Sequence, residues 1–396
     1  MPISKILVAN RSEIAIRVFR AANELGIKTV AIWAEEDKLA LHRFKADESY
    51  QIGRGSHLAR DLGPIESYLN IEEVIRVAKL SGADAIHPGY GLLSESPEFV
   101  DACDAAGLIF IGPRPDTMRQ LGNKVAARNL AISVGVPVVP ATDPLPDDAD
   151  EVHRLAAEIG YPVMLKASWG GGGRGMRAIR DPKDLLREVT EAKREAKAAF
   201  GKDEVYLEKL VERARHVESQ ILGDTHGNVV HLFERDCSVQ RRNQKVVERA
   251  PAPYLSEAQR QELAAHSIKI AKATNYIGAG TVEYLMDMDS GKFYFIEVNP
   301  RIQVEHTVTE VVTGIDIVKA QIHILDGEAI GTPESGVPAQ ADIRLNGHAL
   351  QCRITTEDPE QNFIPDYGRI TGYRSASGFG IRLDGGTAYP GAVITR

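Results

Sequence analysis

Between Phe293 and His306 the chain reads Phe-Tyr-Phe-Ile-Glu-Val-Asn-Pro-Arg-Ile-Gln-Val-Glu-His. An apolar strand thus runs into Glu297, Asn299, Arg301, Gln303, Glu305 and His306. Such a run is costly beside a core unless its charges find partners. Upstream, the apolar strand Thr281–Asp287 carries one carboxylate, Glu283. A three-residue loop at Asp289-Ser290-Gly291, with Gly291 at positive φ, would set Met288 opposite Lys292 and Glu283 opposite Glu297. Like charges across a ladder repel. Either one carboxyl then has a raised pKa or the two share a cation. Oxygens from Glu283, Glu297 and Asn299 suit Mg2+ or Mn2+, held by carboxylates and a substrate phosphate. The competing reading is a solvated hairpin with two acids on its wet face. A one-residue slip would part the acids.

A second candidate is Ser168-Trp-Gly-Gly-Gly-Gly-Arg-Gly-Met176. Glycines this dense cannot form a stable element interior. Their backbone N–H groups can close on anionic oxygens. Lys166 precedes them on the strand from Pro162 to Ala167, so this is no P-loop, where the lysine follows the last glycine. The stretch reads as a nucleotide lid or as a plain flexible loop. Glu234–Glu248 is dense in charge and amides; Lys245 stands out there, and Arg241-Arg242 reads as a local anion site rather than a nucleic-acid footprint.

The elements that must position these groups alternate in the first third of the chain. Strands are expected at Lys5–Ala9, Thr29–Ala34, Ala85–His87 and Leu108–Ile111. A helix spans Ser12–Leu25, closed by Gly26. Asn70 and Glu73 form a capping box for a second helix to Leu80, and Ser96-Pro97 opens a third. The alternation implies an open parallel α/β sheet. No glycine fingerprint follows the first strand, which argues against dinucleotide-dependent hydride transfer. Pro137–Asp150, with four prolines, reads as a linker or hinge. A charged helix starts at Asp181-Pro182, a hairpin turns at Asp224–Asn228, and Ser256 with Gln259 caps a helix to Thr274.

Length and composition bound the rest. The 396 residues predict two to four domains. A net charge of −8 argues against nucleic acid or an anionic membrane surface as the main partner. No apolar run is long enough to span a bilayer. Three scattered cysteines without Cys-x-x-Cys predict reduced thiols and a cytoplasmic setting. A strand within a few residues of Met1 predicts no signal peptide, and the end at Arg396 in a β-rich stretch predicts a longer parent chain.

Lys166 with Gly170–Gly175, Glu208-Lys209, Glu283 and Glu297-x-Asn299-x-Arg301 resemble the ATP-grasp fold. Arg235-Asp-Cys-Ser-Val-Gln-Arg-Arg242, Ala250-Pro-Ala-Pro253, Glu297–His306, Gly347-His-Ala-Leu-Gln-Cys-Arg353, Leu7–Ala15 and His87-Pro-Gly-Tyr-Gly91 narrow the resemblance to biotin carboxylases, over the whole chain. Ala34–Glu48, with Leu41-His-Arg-Phe-Lys-Ala-Asp-Glu48, is most similar to the biotin carboxylase domain that opens pyruvate carboxylases.

The resemblance implies a Rossmann-like N-terminal α/β domain (1–115), an ATP-grasp domain (116–330, lid about 140–207) and an incomplete β-rich C-terminal domain (331–396). It implies ATP-dependent carboxylation of carrier-linked biotin by bicarbonate, through carboxyphosphate. Lys124 and Lys166 would hold ATP phosphates under a lid containing Gly171, Gly172, Gly173, Gly175 and Met176. Glu208, Lys209, Val211, His216, Gln240 and Leu285 would line the adenine and ribose pocket. Glu283, Glu297 and Asn299 would bind Mg2+ or Mn2+. Lys245, Arg301, Gln303 and the Val304 backbone would grip bicarbonate. Glu305 would be its base, with burial opposing the cations that depress its pKa, and Arg353 would stabilise the biotin enolate. Partners would be a biotin carboxyl carrier domain and a carboxyltransferase domain, in a homo-oligomer. Asn243 departs from the family, where histidine is frequent. Another ATP-grasp ligase, the carboxylase of an acyl-CoA enzyme and a nucleotide-binding module without turnover stay open as alternatives.

Overall fold

The structure is a computed structural model and describes residues 2–168, 176–386 and 388–394. Its first unit is a parallel sheet of β1 (Lys5–Val8), β2 (Lys28–Trp33), β3 (Glu48–Gln51), β4 (Ala85–His87) and β5 (Ile109–Phe110), in the order β3-β2-β1-β4-β5. Ile6, Leu7, Val8, Val30, Ala31, Ile32, Ala85 and Ile86 are all fully buried. That is why these strands read as continuous apolar runs: helices cover both faces. The helices are α1 (Ser12–Glu24), α2 (Pro64–Leu69), α3 (Ile71–Ser81) and α4 (Pro97–Ala105).

The α4 cap is as expected, Ser96 accepting from Phe99 N with Pro97 at the first helical position. The α3 cap is only half a box. Asn70 accepts from Glu73 N, but the Glu73 carboxylate turns inward to Gly53 N, His57 and Arg76. Tertiary partners for a buried acid outweigh the return bond to an exposed cap.

Two helices absent from the sequence reading follow, α5 (Pro115–Gly122) and α6 (Lys124–Ser133). The proline-rich stretch after them is pinned rather than free. Val138 bridges to Phe295, Ala141 to Glu208, and Leu145 N donates to Val205 O. A small unit comes next, with α7 (Ala149–Ile159) and α8 (Leu185–Phe200) on a sheet of β6 (Val163–Ala167), β7 (Arg177–Ile179) and β8 (Val205–Lys209). It has its own core, with Val152, Val163, Leu165, Ile179, Leu185 and Leu207. The glycine stretch between β6 and β7, residues 169–175, lies outside the described residues.

The largest sheet is antiparallel. Its strands are β9 (Ala214–Gly223), β10 (Val229–Arg241), β11 (Gln244–Ala250), β12 (Gly278–Asp287), β13 (Phe293–Asn299) and β14 (Ala349–Cys352), ordered β13-β12-β9-β10-β11-β14. Helix α9 (Glu257–Ala273) carries the Ser256/Gln259 capping box and packs over β9 and β10. Helices α10 (His306–Thr313) and α11 (Ile317–Leu325) pack against β10 and β12. Two short antiparallel ladders, β15 (Glu357–Asp358) with β16 (Ile364–Pro365) and β17 (Gly368–Arg369) with β18 (Val393–Ile394), occupy the C-terminal part.

The hairpin of β12 and β13 corrects one expectation. Asp287 N donates to Lys292 O and Gly291 N to Asp287 O, so the loop holds four residues rather than three. Pairing starts as Met286 with Phe293 and Tyr284 with Phe295. One extra residue, Ile296, is then accommodated as a bulge, and the ladder continues as Glu283 with Glu297. The two carboxylates face each other as expected, through a longer loop and a compensating bulge.

Candidate functional site

Register across the large sheet builds the site. Arg235 on β10 pairs with Glu218 on β9, Glu218 with Glu283 on β12, and Glu283 with Glu297 on β13. Side chains at one ladder level share a face, so one arginine and three carboxylates stand in a row over four strands. The row two residues along holds Gln220, Thr281 and Asn299. The same face therefore carries charge in one row and neutral hydrogen-bonding groups in the next.

Arg235 is fully buried with every N–H used. Nε donates to Glu218 (2.6 Å), Nη1 to Gln220 (2.6 Å) and Thr309 (2.9 Å), and Nη2 to Thr281 (3.1 Å) and Gln303 (3.0 Å). Lys245, on β11, reaches back over the row. Its Nζ lies 2.5 Å from Glu218, 2.8 Å from Glu283 and 2.8 Å from Glu305. Glu283 also accepts from Asn299 Nδ2 and Gln303 Nε2, each at 2.9 Å, and has His216 Nε2 at 2.9 Å from its second oxygen. Arg353, just after β14, joins Glu305 (3.0 Å) to Glu248 (2.6 Å).

These contacts set the protonation states. Burial works against the Lys245 ammonium, but Glu218, Glu283 and Glu305 hold its pKa well above the usual lysine value. Burial would raise Glu283, and Lys245 and His216 overcome it, keeping the carboxyl well below its usual range. Burial likewise opposes the ionised form of Glu305, yet Lys245, Arg235 and Arg353 hold it at about 2. The expected balance between burial and cations thus falls on the side of the cations. Glu297 goes the other way, raised by burial and then by the Glu283 charge opposite. A like-charge pair pushed apart in this way is what the register implied.

The remaining candidates group around this cluster unevenly. Lys124, first residue of α6, has Nζ 3.6 Å from Glu297. The Asn123 side chain caps that helix, accepting from Val125 N and Ala126 N. Lys166 on β6 is ion-paired with Glu208 on β8. His216 and Leu285 are directly paired across β9 and β12. Gln240 donates to Cys237 O. Lys209 points its ammonium at Gly160 O and Tyr161 O, away from the carboxylate row, and with Val211 borders a cleft of about 390 Å³. Arg301 is turned toward the N-terminal unit, Nε to Glu95 at 2.5 Å, with Nη2 on Asn299 Oδ1. Met176 is half-buried, and Gly171, Gly172, Gly173 and Gly175 lie outside the described residues. Asn243 forms the β10–β11 turn with Arg242, both at positive φ, which favours an asparagine there. Val304 and Glu305 lead directly into α10, with Glu305 as its N-terminal flanking residue.

Sequence reasoning missed Glu218, Glu248 and Glu95. The signal for Glu218 was present in His216-Val-Glu-Ser-Gln220, where polar residues alternate within a strand otherwise rich in buried side chains. Glu248 lay at the end of the charge-dense stretch Glu234–Glu248 without being singled out, and Glu95 comes from a remote segment with no local signal.

The carboxylates of Glu283 and Glu297, forced together across the ladder, would suit a hard divalent cation, while Asn299 gives its N–H to Glu283 and its oxygen to Arg301. Residues 123–332 match the family described as "Carbamoyl-phosphate synthase L chain, ATP binding domain", and residues 2–118 match "Biotin carboxylase, N-terminal domain". Mitochondrial pyruvate carboxylase of Mus musculus is 54% identical over 394 residues, covering 100% of this chain and 33% of that protein. The chain thus spans about a third of the length of the curated relatives it matches. A Rhizobium etli pyruvate carboxylase variant solved with acetyl coenzyme-A superposes with a TM-score of 0.95 at 89% identity, covering 100% of this chain and 35% of that one. The biotin carboxylase domain of Hydrogenobacter thermophilus 2-oxoglutarate carboxylase, solved with MgADP, ADP and bicarbonate, gives 0.92 at 47% identity, covering 100% of this chain and 84% of that one.

Proposed function

This chain belongs to the biotin carboxylase family, and from that premise we propose that it catalyses ATP-dependent carboxylation of biotin by bicarbonate as the first half-reaction of a pyruvate carboxylase. The observation that carries this reading is Glu305 held between Lys245 and Arg353, with Lys245 tying it to the carboxylate row. A plain nucleotide-binding module needs Lys166 and Glu297 but has no use for a buried acid shared by two further cations.

In this reading residues 1–115 form the N-terminal α/β domain, 116–330 the ATP-grasp domain and 331–396 the start of a β-rich one. ATP phosphates lie against Lys124 and Lys166. Glu283, Glu297 and Asn299 would hold Mg2+ or Mn2+, which neutralises charge on the transferring phosphoryl oxygens. Lys245, Arg301, Gln303 and the Val304 N–H bind bicarbonate, the planar guanidinium matching two of its oxygens.

With a pKa of about 2, Glu305 is a poor base while Lys245 and Arg353 both hold it. An anion that takes Lys245 for itself removes the largest of those attractions. Glu305 then accepts the bicarbonate proton as the bicarbonate oxygen attacks the γ-phosphorus. ADP leaves, carboxyphosphate breaks into CO2 and phosphate, the phosphate takes the biotin N–H proton, and the nitrogen attacks CO2. Arg353 steadies the charge on the biotin ureido oxygen. The carboxyl carrier and the carboxyltransferase that uses carboxybiotin would belong to the same polypeptide, in a homo-oligomer. Among the described residues no helix is long and apolar enough to cross a membrane.

The test is ADP release with Mg·ATP and bicarbonate, with and without free biotin. Turnover stimulated by biotin and reduced roughly 10²–10⁴-fold in Glu305→Gln is expected. Bicarbonate-dependent turnover indifferent to Glu305→Gln would overturn the assignment of the base.

A further inference from the structure

The peptide joining Gln303 to Val304 is planar, so whatever orients its carbonyl also orients the Val304 N–H. Gln303 O stands 2.7 Å from the ring Nδ1 of His306 and accepts from the His306 backbone N at 3.2 Å. On the other end of the same plane, Val304 N–H donates to no protein acceptor among the described residues. The flanking side chains of Gln303 and Glu305 both enter the charged cluster, on Glu283 and Lys245 respectively.

A carbonyl oxygen only accepts, so the hydrogen of the His306 ring sits on Nδ1. The ring is buried, 3% exposed. Its Nε2 has no hydrogen-bond partner and stands 3.9 Å from Glu310 Oε2. Glu310 is itself fixed by Arg17 at 2.7 Å and Arg382 at 2.6 Å. Burial lowers the His306 pKa, with Glu310 opposing and Arg17 assisting, which keeps the ring neutral.

We propose that His306 is a positioning residue for anion binding: its Nδ1–H fixes the Gln303–Val304 peptide so that the Val304 N–H is held as a donor to bicarbonate. A hydrogen bond on the carbonyl also polarises the amide and strengthens that donor. Glu310, Arg17 and Arg382 hold the ring in place from behind. This inference rests on the bicarbonate reading of the site.

The amide nitrogen of asparagine stands where His Nδ1 does, two bonds from Cβ, whereas that of glutamine mimics Nε2. Bicarbonate-dependent ADP release is therefore measured in the intact protein carrying His306→Asn or His306→Gln. His306→Asn should leave the bicarbonate KM within about threefold, and His306→Gln should raise it roughly tenfold or more, the scale of one hydrogen bond to an anion. The KM for Mg·ATP should stay unchanged in both, a pattern that general loosening of the fold does not produce. Equal bicarbonate KM effects of the two substitutions overturn the positioning role. Wild-type protein that cleaves ATP without any dependence on bicarbonate overturns the site reading as well. Should both variants fail to fold, the 15N signals of the wild-type His306 ring decide: an Nδ1–H tautomer is expected, and an Nε2–H tautomer refutes the proposal.

Discussion

Replacing Arg235 by lysine keeps the charge, the approximate length and the apolar stem, and changes only the geometry of donation. The guanidinium satisfies five oxygens from Glu218, Gln220, Thr309, Thr281 and Gln303 in a fully buried setting. An ammonium has three donors radiating from one atom. It can keep Glu218 and at most two neutral partners, so at least two buried oxygens lose a donor. At ~1–3 kcal/mol for each buried group left unsatisfied, Arg235→Lys should cost about 2–6 kcal/mol. Arg235→Met removes the charge as well and leaves Glu218 to Lys245, with His216 at 4.0 Å; breaking a buried pair costs ~3–5 kcal/mol before the neutral acceptors are counted. Urea unfolding followed by far-ultraviolet circular dichroism reads both as shifts of midpoint at constant slope. Adding Glu218→Gln to Arg235→Met should recover part of the loss, because the orphaned carboxylate is then gone. Stability of Arg235→Lys within ~1 kcal/mol of wild type would refute the reasoning, since it would mean the five-donor fit carries little energy.

Lys245→Met should destabilise the fold by ~3–5 kcal/mol near pH 8, and less near pH 3. The folded-state pKa values of Glu283 and Glu305 are depressed, so their contribution is present above the usual carboxylate pKa and lost as pH falls through the lower folded value. The variant lacks that contribution and its carboxylates take up protons sooner; equal deficits at the two pH values in urea titrations would contradict the cage. Glu305 and Glu310 are each held at about 2 against an ordinary 4.5. Each should contribute about 3 kcal/mol that disappears between roughly pH 4.5 and 2, at ~1.4 kcal/mol per unit. Acid titration of wild-type ellipticity should fall within that window, and a protein stable through pH 2 argues against both assignments. Asn123→Ala removes the α6 cap and should cost ~1 kcal/mol; because Lys124 is the first residue of that helix, calorimetry should also show weaker Mg·ADP binding, restored by Asn123→Ser.

What was legible in the chain was local. Strands whose two faces are both covered print as unbroken apolar runs, so β1, β2 and β4 were found almost to the residue, as were the Ser96 and Ser256 caps. The Glu283–Glu297 pairing was legible only through two cancelling errors of register, a loop one residue longer than expected and a bulge at Ile296. Short-range turn chemistry does not reveal a bulge, because the extra residue is accommodated by packing against other strands. Glu73 shows the opposite case, a capping pattern present in sequence and dissolved by tertiary partners from Gly53 and His57. Glu95, which meets Arg301 from more than two hundred positions away, was beyond any pattern in the chain.

The site has a charge logic that individual residues do not convey. A pocket for an anion built only of Lys245, Arg235, Arg301 and Arg353 would bury uncompensated cations, which costs several kcal/mol for each. The fold instead lends those cations to carboxylates: Lys245 to Glu218, Glu283 and Glu305, Arg235 to Glu218, and Arg353 to Glu248 and Glu305. The loans differ in permanence. Glu218 is fully buried within the sheet and tied to Arg235, so it cannot leave. Glu283 borders Glu297 across the ladder and is the member best placed to exchange Lys245 for another cation. Glu305 lies at the end of a loop before α10 and would keep Arg353 if an anion took Lys245 from it. Binding one cation at Glu283 and one anion at Lys245 is then an exchange of partners that leaves the buried charge balanced, and neither ligand alone achieves it. Opposite charges that replace each other's protein partners in this way favour each other's binding. A buried site proposed for bicarbonate would for that reason be lined with acids as well as cations.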